Sequence, residues 1–227
     1  MEHKVKIRNI EVVTYDVKRF VTEKPKNYKF TPGQATNVAI NKPAWVEKKR
    51  PFTFTSLNDE DYLEFIIKGY PQSIYPDHGG VTEEIHKLAV EDEFIIGDPW
   101  GAIEYKSSGV FLTGGAGITP FIAIFKQLQK DNQLTGNKLI FSNKTSKDVI
   151  LENNLRKWFD INNLVLTLTR EENSNYENGR IDEKLIKKYI SEFSQYFYIC
   201  GKKQMVSDLN NLLNSLGANT ALVVFER

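Results

Sequence analysis

Three short stretches of the 227-residue chain carry groups with chemistry to offer. In the first, Val110-Phe111-Leu112-Thr113 runs into Gly114-Gly115-Ala116-Gly117-Ile118-Thr119-Pro120. Glycines let backbone amides come close to an anion, Thr119 is placed to cap a following helix, and Pro120 suits its first turn, so the loop has the makings of a diphosphate site. The dinucleotide fingerprint G-x-G-x-x-G is incomplete, because Pro120 stands where the last glycine belongs, and a plain strand-to-helix turn is the alternative. In the second, Arg50-Pro51-Phe52-Thr53-Phe54-Thr55-Ser56 reads as a strand with Arg50, Phe52 and Phe54 on one face and Pro51, Thr53 and Thr55 on the other. It offers a guanidinium for a phosphate, an aromatic plate for a flat ring and a hydroxyl for a ring nitrogen, although an ordinary core strand explains the same residues. The third is Tyr198-Ile199-Cys200-Gly201, where the only cysteine ends an apolar strand; packing alone accounts for a buried thiol there.

Two kinds of element must hold these stretches. Before residue 105, short segments rich in β-branched and aromatic residues (10–15, 36–40, 52–55, 62–67 and 93–96) alternate with turn clusters such as Thr31-Pro32-Gly33-Gln34, the pattern of an antiparallel β-barrel or sandwich. One short helix is expected over 81–88, with Thr82 as N-cap and Glu83 and Glu84 in its first turn. After Glu104-Tyr105-Lys106-Ser107-Ser108-Gly109 the pattern changes to apolar strands between amphipathic helices. Five strands, at 110–113, 139–142, 165–169, 197–200 and 221–225, imply an α/β domain with a parallel sheet. Met205, Val206, Leu209, Leu212, Leu213 and Leu216 follow helical spacing and belong to its core. Two domains are therefore expected, 1–105 and 106–227.

Composition removes several classes of function. The 30 Lys+Arg against 29 Asp+Glu leave a net charge of +1 and no basic footprint for nucleic acid or an anionic membrane. A single cysteine excludes a disulfide framework and an iron-sulfur cluster held by this chain alone, and three scattered histidines give no metal-ligand spacing. No apolar run reaches the length of a membrane span and the opening residues have no signal-peptide core, so a cytoplasmic protein is expected.

Arg50-Pro51-Phe52-Thr53, Gly79-Gly80-Val81-Thr82 at a helix start, Gly114 to Pro120, and Tyr198-Ile199-Cys200-Gly201 occur in the order and approximate spacing of the ferredoxin-NADP reductase superfamily. Over nearly its whole length the chain resembles the stand-alone flavodoxin reductase-like members, a flavin-binding barrel followed by a nicotinamide-nucleotide domain. The resemblance implies an FAD-dependent NAD(P)H oxidoreductase that passes electrons to a separate acceptor: flavodoxin, ferredoxin or a small molecule. A flavin-binding electron-transfer or regulatory subunit of a larger complex is the alternative.

By the same resemblance Arg50 would hold the flavin pyrophosphate, Phe52 would stack on the isoalloxazine and Thr53 would hydrogen-bond its N5 edge. Lys68 would lie near the flavin, and Gly80, Val81 and Thr82 would give amides and a hydroxyl to the pyrophosphate, with Glu83 and Glu84 turned away. Gly115, Gly117, Ile118 and Thr119 would line the nicotinamide nucleotide, NADPH or NADH, with Cys200 and Gly201 near the nicotinamide. Arg170, in Thr169-Arg170-Glu171-Glu172, resembles the arginine that NADP-using members place on the 2′-phosphate, while Asp148 and Glu171 oppose that choice. Thr53, Cys200 and Glu226 are the implied catalytic residues. The chain departs from the family at Phe52, where Tyr is commoner, in extra residues over 70–76, and in having no aromatic residue after Glu226. Trp100 offers a plate for an adenine, though a tryptophan beside a domain junction is more often a packing residue.

Overall fold

The computed structural model describes residues 1–225, so Glu226 lies outside the described residues. The chain divides into two compact units, Met1–Gly101 and Ala102–Arg227.

The first unit is an antiparallel sheet of β1 (His3–Thr14), β2 (Val17–Glu23), β3 (Ala35–Ile40), β4 (Arg50–Thr53), β5 (Tyr62–Lys68) and β6 (Glu93–Ile96). Their order is β4-β3-β6-β1-β2-β5. Alternation sends Val5, Ile7, Phe20, Val38, Leu63, Phe65, Ile67, Phe94 and Ile96 to one apolar core, which Phe54 and Phe30 enter as a stacked pair 4.2 Å apart. Just past the end of β4, the Thr55 amide donates to the Glu64 carbonyl of β5 at 2.8 Å, tying together the two outermost strands.

The sequence pattern located β3 to β6 and part of β1, whose first residues His3 to Asn9 it missed, and it missed β2. In β2, Lys18, Arg19 and Glu23 interrupt the apolar signal, and the strand is held by pairing with β1 and β5. The short helix also differs from expectation. It is α1 (Val81–Ile85), its N-cap is Gly80 in left-handed backbone at φ +70°, and Thr82 stands inside it. A left-handed entry favours glycine, so the cap is set by backbone geometry and no side-chain oxygen caps it.

The second unit is a parallel sheet of β7 (Gly109–Gly114), β8 (Lys138–Asn143), β9 (Leu164–Leu168), β10 (Glu177–Asn178), β11 (Tyr196–Cys200) and β12 (Val223–Phe225), ordered β10-β9-β8-β7-β11-β12. Five strands were expected. The sixth, β10, is two residues long, too short to carry a period, and pairs only with the end of β9. One face of the sheet packs Val110, Leu112, Ile140, Val165, Phe197 and Ile199 against Leu185 and Ile186 of α4 (Glu183–Tyr189) and Leu209 and Leu213 of α5 (Lys203–Ser215). Met205, Val206, Leu212 and Leu216 are half-buried against the same core. The opposite face carries α2 (Thr119–Lys130), whose Phe121 and Phe125 meet Phe111 edge-on at 5.0 and 4.8 Å, and Tyr198 stacks on Phe111 at 4.4 Å. The remaining helix, α3 (Glu152–Trp158), follows β8 and buries Leu155. No helix among the described residues is long and apolar enough to cross a membrane.

Strand order leaves β7 with β8 on one side and β11 on the other: the chain steps outward from β7 through β8 and β9 to β10, then crosses back to add β11 on the far side of β7. The carboxyl ends at such a reversal form a crevice, and in open parallel sheets that crevice is where ligands bind. Gly114, Cys200, Asn143 and Leu168 end β7, β11, β8 and β9 on this edge.

Candidate functional site

In the first unit, Arg50 opens β4 opposite Val38. Its Nη1 donates to the Lys49 carbonyl at 2.9 Å and its Nη2 to the His78 carbonyl at 3.3 Å, leaving further donors of a five-donor group. Gly79 and Gly80 follow with φ of +62° and +70°; a Cβ on Gly79 would lie 3.3 Å from Arg50 Nη2, and one on Gly80 2.8 Å from Gln72 Oε1. The bare backbone of this turn thus lies against a guanidinium, and the first amides of α1 have no acceptor within the helix. Two kinds of anion donor meet there, and the bound pyrophosphate of a dinucleotide is the group they fit.

Val81 is buried in the core and offers only its amide. The Thr82 hydroxyl accepts the Tyr70 amide at 3.1 Å and keeps its own proton to donate. Glu83 accepts the Gln72 amide at 2.8 Å and stands 3.7 Å from Lys87, and Glu84 stands 3.4 Å from Lys87, so both carboxylates have partners of their own. Phe52 is half-buried on the core, and the half-buried Thr53 has no side-chain hydrogen bond among the described residues. Lys68 makes its contacts elsewhere: its ammonium is bound to the Asp16 carboxylate at the β1–β2 turn. Trp100 pairs its backbone with Ala35 and is 40% exposed.

Sequence reasoning missed Gln72 and Trp45, which crowd the place a Gly80 side chain would take, Trp45 at 3.7 Å. It also missed Tyr70 and His78, whose rings stack 4.3 Å apart beside the turn. Three lie in loops and His78 ends the 3-10 turn Pro76–His78, where no period announces them.

In the second unit, β7 runs into a 3-10 turn, Gly115–Ile118, and then into α2. Gly115 has φ +55° and open space where a Cβ would be. Gly117 is different: its Cβ would lie 2.5 Å from the Cys200 carbonyl oxygen and 2.7 Å from the Gly201 Cα, so glycine is required by the approach of two backbones. Ile118 is buried. Thr119 does not cap α2: it is the first helical residue, and its hydroxyl donates to the Ala116 carbonyl at 3.0 Å within the turn. Cys200 is buried at the end of β11, its carbonyl receiving the Thr113 hydroxyl at 2.8 Å. Met205 Sδ would meet a Cβ on Gly114 at 2.8 Å and one on Gly201 at 3.0 Å, so this thioether covers both glycine ends. Its helical spacing had marked it as core alone.

Two strands from β7, just past the end of β9, Arg170 is exposed and pairs with no carboxylate among the described residues. The Asp148 carboxylate is buried and accepts the Thr145 amide at 2.9 Å and hydroxyl at 2.6 Å, a capping box on the turn Ser146–Asp148. Glu171 accepts the Ser146 amide at 2.9 Å and its hydroxyl at 2.9 and 3.0 Å. Those bonds, that of the Ser146 amide foremost and then that of Asn173, hold its carboxyl below the ordinary carboxylate range. No cluster of metal-ligating side chains occurs among the described residues.

An anion cradle in one unit and a glycine-lined crevice at a strand-order reversal in the other define a two-nucleotide protein. Residues 2–135 match the family described as FAD-binding domain, and residues 111–211 match the oxidoreductase NAD-binding domain. The chain belongs to the ferredoxin-NADP reductase-like superfamily of FAD- and NAD-binding oxidoreductases. It shares its fold with the cytochrome b5 reductase domain of Ulva prolifera nitrate reductase (TM-score 0.85, 18% identity, 99% of this chain and 97% of that one). The same holds for a ferredoxin NADP+ reductase from Neisseria gonorrhoeae (TM-score 0.83, 20% identity, 99% and 98%). In sequence it is 24% identical to NADH-cytochrome b5 reductase 2 of Mus musculus, over 67% of this chain and 66% of that protein. It is 25% identical to nitrate reductase [NADH] of Cichorium intybus over 94% of this chain. The chain spans only 16 to 27% of the length of three nitrate reductases it matches.

Proposed function

We propose that the chain is a flavin-dependent NAD(P)H oxidoreductase that delivers electrons to a separate acceptor, such as flavodoxin, ferredoxin or a small molecule. The observation that carries this reading is the pairing, in one chain, of the Arg50 guanidinium with the Gly79-Gly80 turn and of Gly117 with the Cys200-Gly201 backbone. When bound, FAD and the nicotinamide coenzyme supply the hydride chemistry; the protein supplies placement.

In this reading Arg50 and the amides of Gly80 and Val81 hold the FAD pyrophosphate, with the Thr82 hydroxyl as a further donor. Phe52 lies against the ring system, and the Thr53 hydroxyl donates to N5. Gly115 and Gly117 let the coenzyme diphosphate approach the backbone, with Ile118 and Thr119 behind them. Cys200 and Gly201 border the nicotinamide, Glu226 serves the flavin edge, and Arg170 meets the outer ribose. The first sheet closes as a barrel, a reading supported by the Thr55 to Glu64 hydrogen bond. The Lys68–Asp16 ion pair speaks against a direct flavin contact for Lys68 and favours a supporting role.

A second reading, an electron-transfer module within a larger assembly, is favoured by how small a part of the nitrate reductases the chain covers. Gel filtration of native extract with activity assayed across the fractions separates the two. The main test is one spectrum: the purified protein should be yellow or take up FAD, and its flavin band should bleach when NADH or NADPH is added without oxygen. A protein that binds no flavin overturns the proposal.

A further inference from the structure

Three side chains of α1 and its C-cap fasten the helix to the chain that leaves β5. The Thr82 hydroxyl accepts the Tyr70 amide at 3.1 Å, Glu83 accepts the Gln72 amide at 2.8 Å, and His86, just past the helix end, donates from Nε2 to the Ile67 carbonyl at 2.9 Å. A carbonyl only accepts, so Nε2 carries the proton of the neutral ring and Nδ1 is bare. Gly69 passes over that second nitrogen: a Cβ there would lie 2.9 Å from both Nδ1 and Cε1. Nδ1 has no hydrogen-bond partner among the described residues. Between the two fastened segments runs the Gly79-Gly80 turn, with Arg50 against Gly79 and Gln72 against Gly80. Holding residues 67–72 on α1 therefore holds the turn.

A second proton on the His86 ring meets no acceptor and a poor electrostatic setting. From β2, the Lys18 ammonium donates to the His86 carbonyl at 2.7 Å, and the Phe20 ring lies 6.2 Å away. The Asp16 carboxylate at the β1–β2 turn is already engaged, by Lys68 of β5 and by the Thr14 hydroxyl at 3.1 Å. Burial pushes the Tyr70 phenol up, so it stays neutral. On α1 itself, Glu83 and Glu84 share Lys87. Burial foremost, with Lys18 adding to it, holds the ring below the ordinary histidine value against the opposing pull of the Ile67 carbonyl.

We propose that His86 is a positioning residue for the flavin pyrophosphate: neutral, it locks residues 67–72 onto α1 and keeps the Gly79-Gly80 turn beside Arg50; protonated, it is expelled and the turn loosens, so acid releases the flavin. The inference rests on the oxidoreductase reading and adds to it a proton-linked control of cofactor retention. The closed arrangement disfavours the second proton, so flavin affinity is full above about pH 6.5 and falls as pH drops below it. A proton on His78 acts the other way, since a cation beside the turn attracts the pyrophosphate.

Ultrafiltration of the full-length protein with FAD at pH 5.5 to 8, with free flavin read by fluorescence and the fold checked by circular dichroism, tests this. The wild-type dissociation constant should rise by up to about tenfold from pH 8 to 5.5, the ceiling for one proton released at the ordinary histidine value. His86→Gln, whose amide still donates to the Ile67 carbonyl, should flatten that profile to within about twofold. His86→Ala should bind FAD about fivefold more weakly throughout, the scale of one lost hydrogen bond, and His78→Gln should keep the wild-type loss in acid. His86 is one of three histidines, so its ring protons can be followed by NMR, and by reciprocal linkage its titration midpoint should fall when FAD is added. A flat wild-type profile, a His86→Gln protein that keeps the acid loss, or a His86 midpoint unmoved by FAD overturns the inference and leaves the oxidoreductase reading standing. A wild type that binds no flavin at any pH overturns both.

Discussion

Gly117→Ala tests the second unit most directly. The added Cβ would lie 2.5 Å from the Cys200 oxygen, 2.7 Å from the Gly201 Cα and 2.8 Å from the Cys200 carbonyl carbon. All three are backbone atoms, and Cys200 is fixed in the sheet opposite Thr113, so no flexible side chain can give way. Ordinary contact requires a shift of about 1 Å, the kind of overpacking that costs roughly 1–3 kcal/mol. Losing the Thr113 to Cys200 hydrogen bond would add about 1 kcal/mol, and the stiffer unfolded chain would return roughly 0.4–1 kcal/mol. The net is about 2 kcal/mol, or roughly 4–8 °C in Tm for a chain of 227 residues. Gly115→Ala is the matched control: at φ +55° with nothing within 4 Å, it meets backbone strain of roughly 1–2 kcal/mol, partly offset through the unfolded state, and no clash. Thermal unfolding followed by circular dichroism, with the KM for NADH measured alongside, compares the two. Gly117→Ala should have the lower Tm and the higher KM. A Gly117→Ala protein melting within a degree of the wild type would refute the close approach of the two backbones.

Arg50→Ala should shed flavin on gel filtration, and chromatography of the flavin released from the wild type by heat should identify FAD; finding FMN would remove the need for two contacts to a pyrophosphate. Thr53→Val should slow flavin reduction in stopped flow by an amount worth about 1–3 kcal/mol, and an unchanged rate with flavin still bound would show the hydroxyl idle. His86, beneath Gly69 with its Nε2 bonded to the Ile67 carbonyl at 2.9 Å, has its pKa held down by burial. Protons then bind the unfolded chain first, so stability present above about pH 6.5 should fall as pH drops below it, and His86→Gln should flatten that slope in urea titrations at several pH values. Asn143 buries both amide atoms without a partner among the described residues. Asn143→Leu should therefore hold or raise Tm, by up to the roughly 1–3 kcal/mol an unpaired buried polar group costs, and a fall would reveal a partner.

The four motifs were legible because each is local: a glycine turn after a strand, or an arginine opening one, is written in adjacent residues. Strand positions after residue 109 were legible for the same reason, since side-chain period is a property of neighbours. Legibility failed where a role comes from pairing. β2 carries Arg19 because that residue pairs with the buried Glu64, and Lys18 because its ammonium donates to the His86 carbonyl at 2.7 Å, partners that only the fold brings together. The cap of α1 fell to Gly80 because the backbone turns left-handed beside Arg50, which no capping pattern records. Lys68 had been placed by resemblance near the flavin, yet a carboxylate 52 residues earlier claims its ammonium. The sequence by itself determined most of the strands and the helix over 204–216, and which short stretches can meet an anion, because those follow from sterics and periodicity within a few residues. The tertiary structure alone decided that β7 lies between β8 and β11, that Gly117 must be bare because Cys200 passes behind it, and that Glu171 holds Ser146. Each of these depends on backbone hydrogen bonds and contacts between residues far apart in the chain, and such pairings are chosen by the energy of the whole fold.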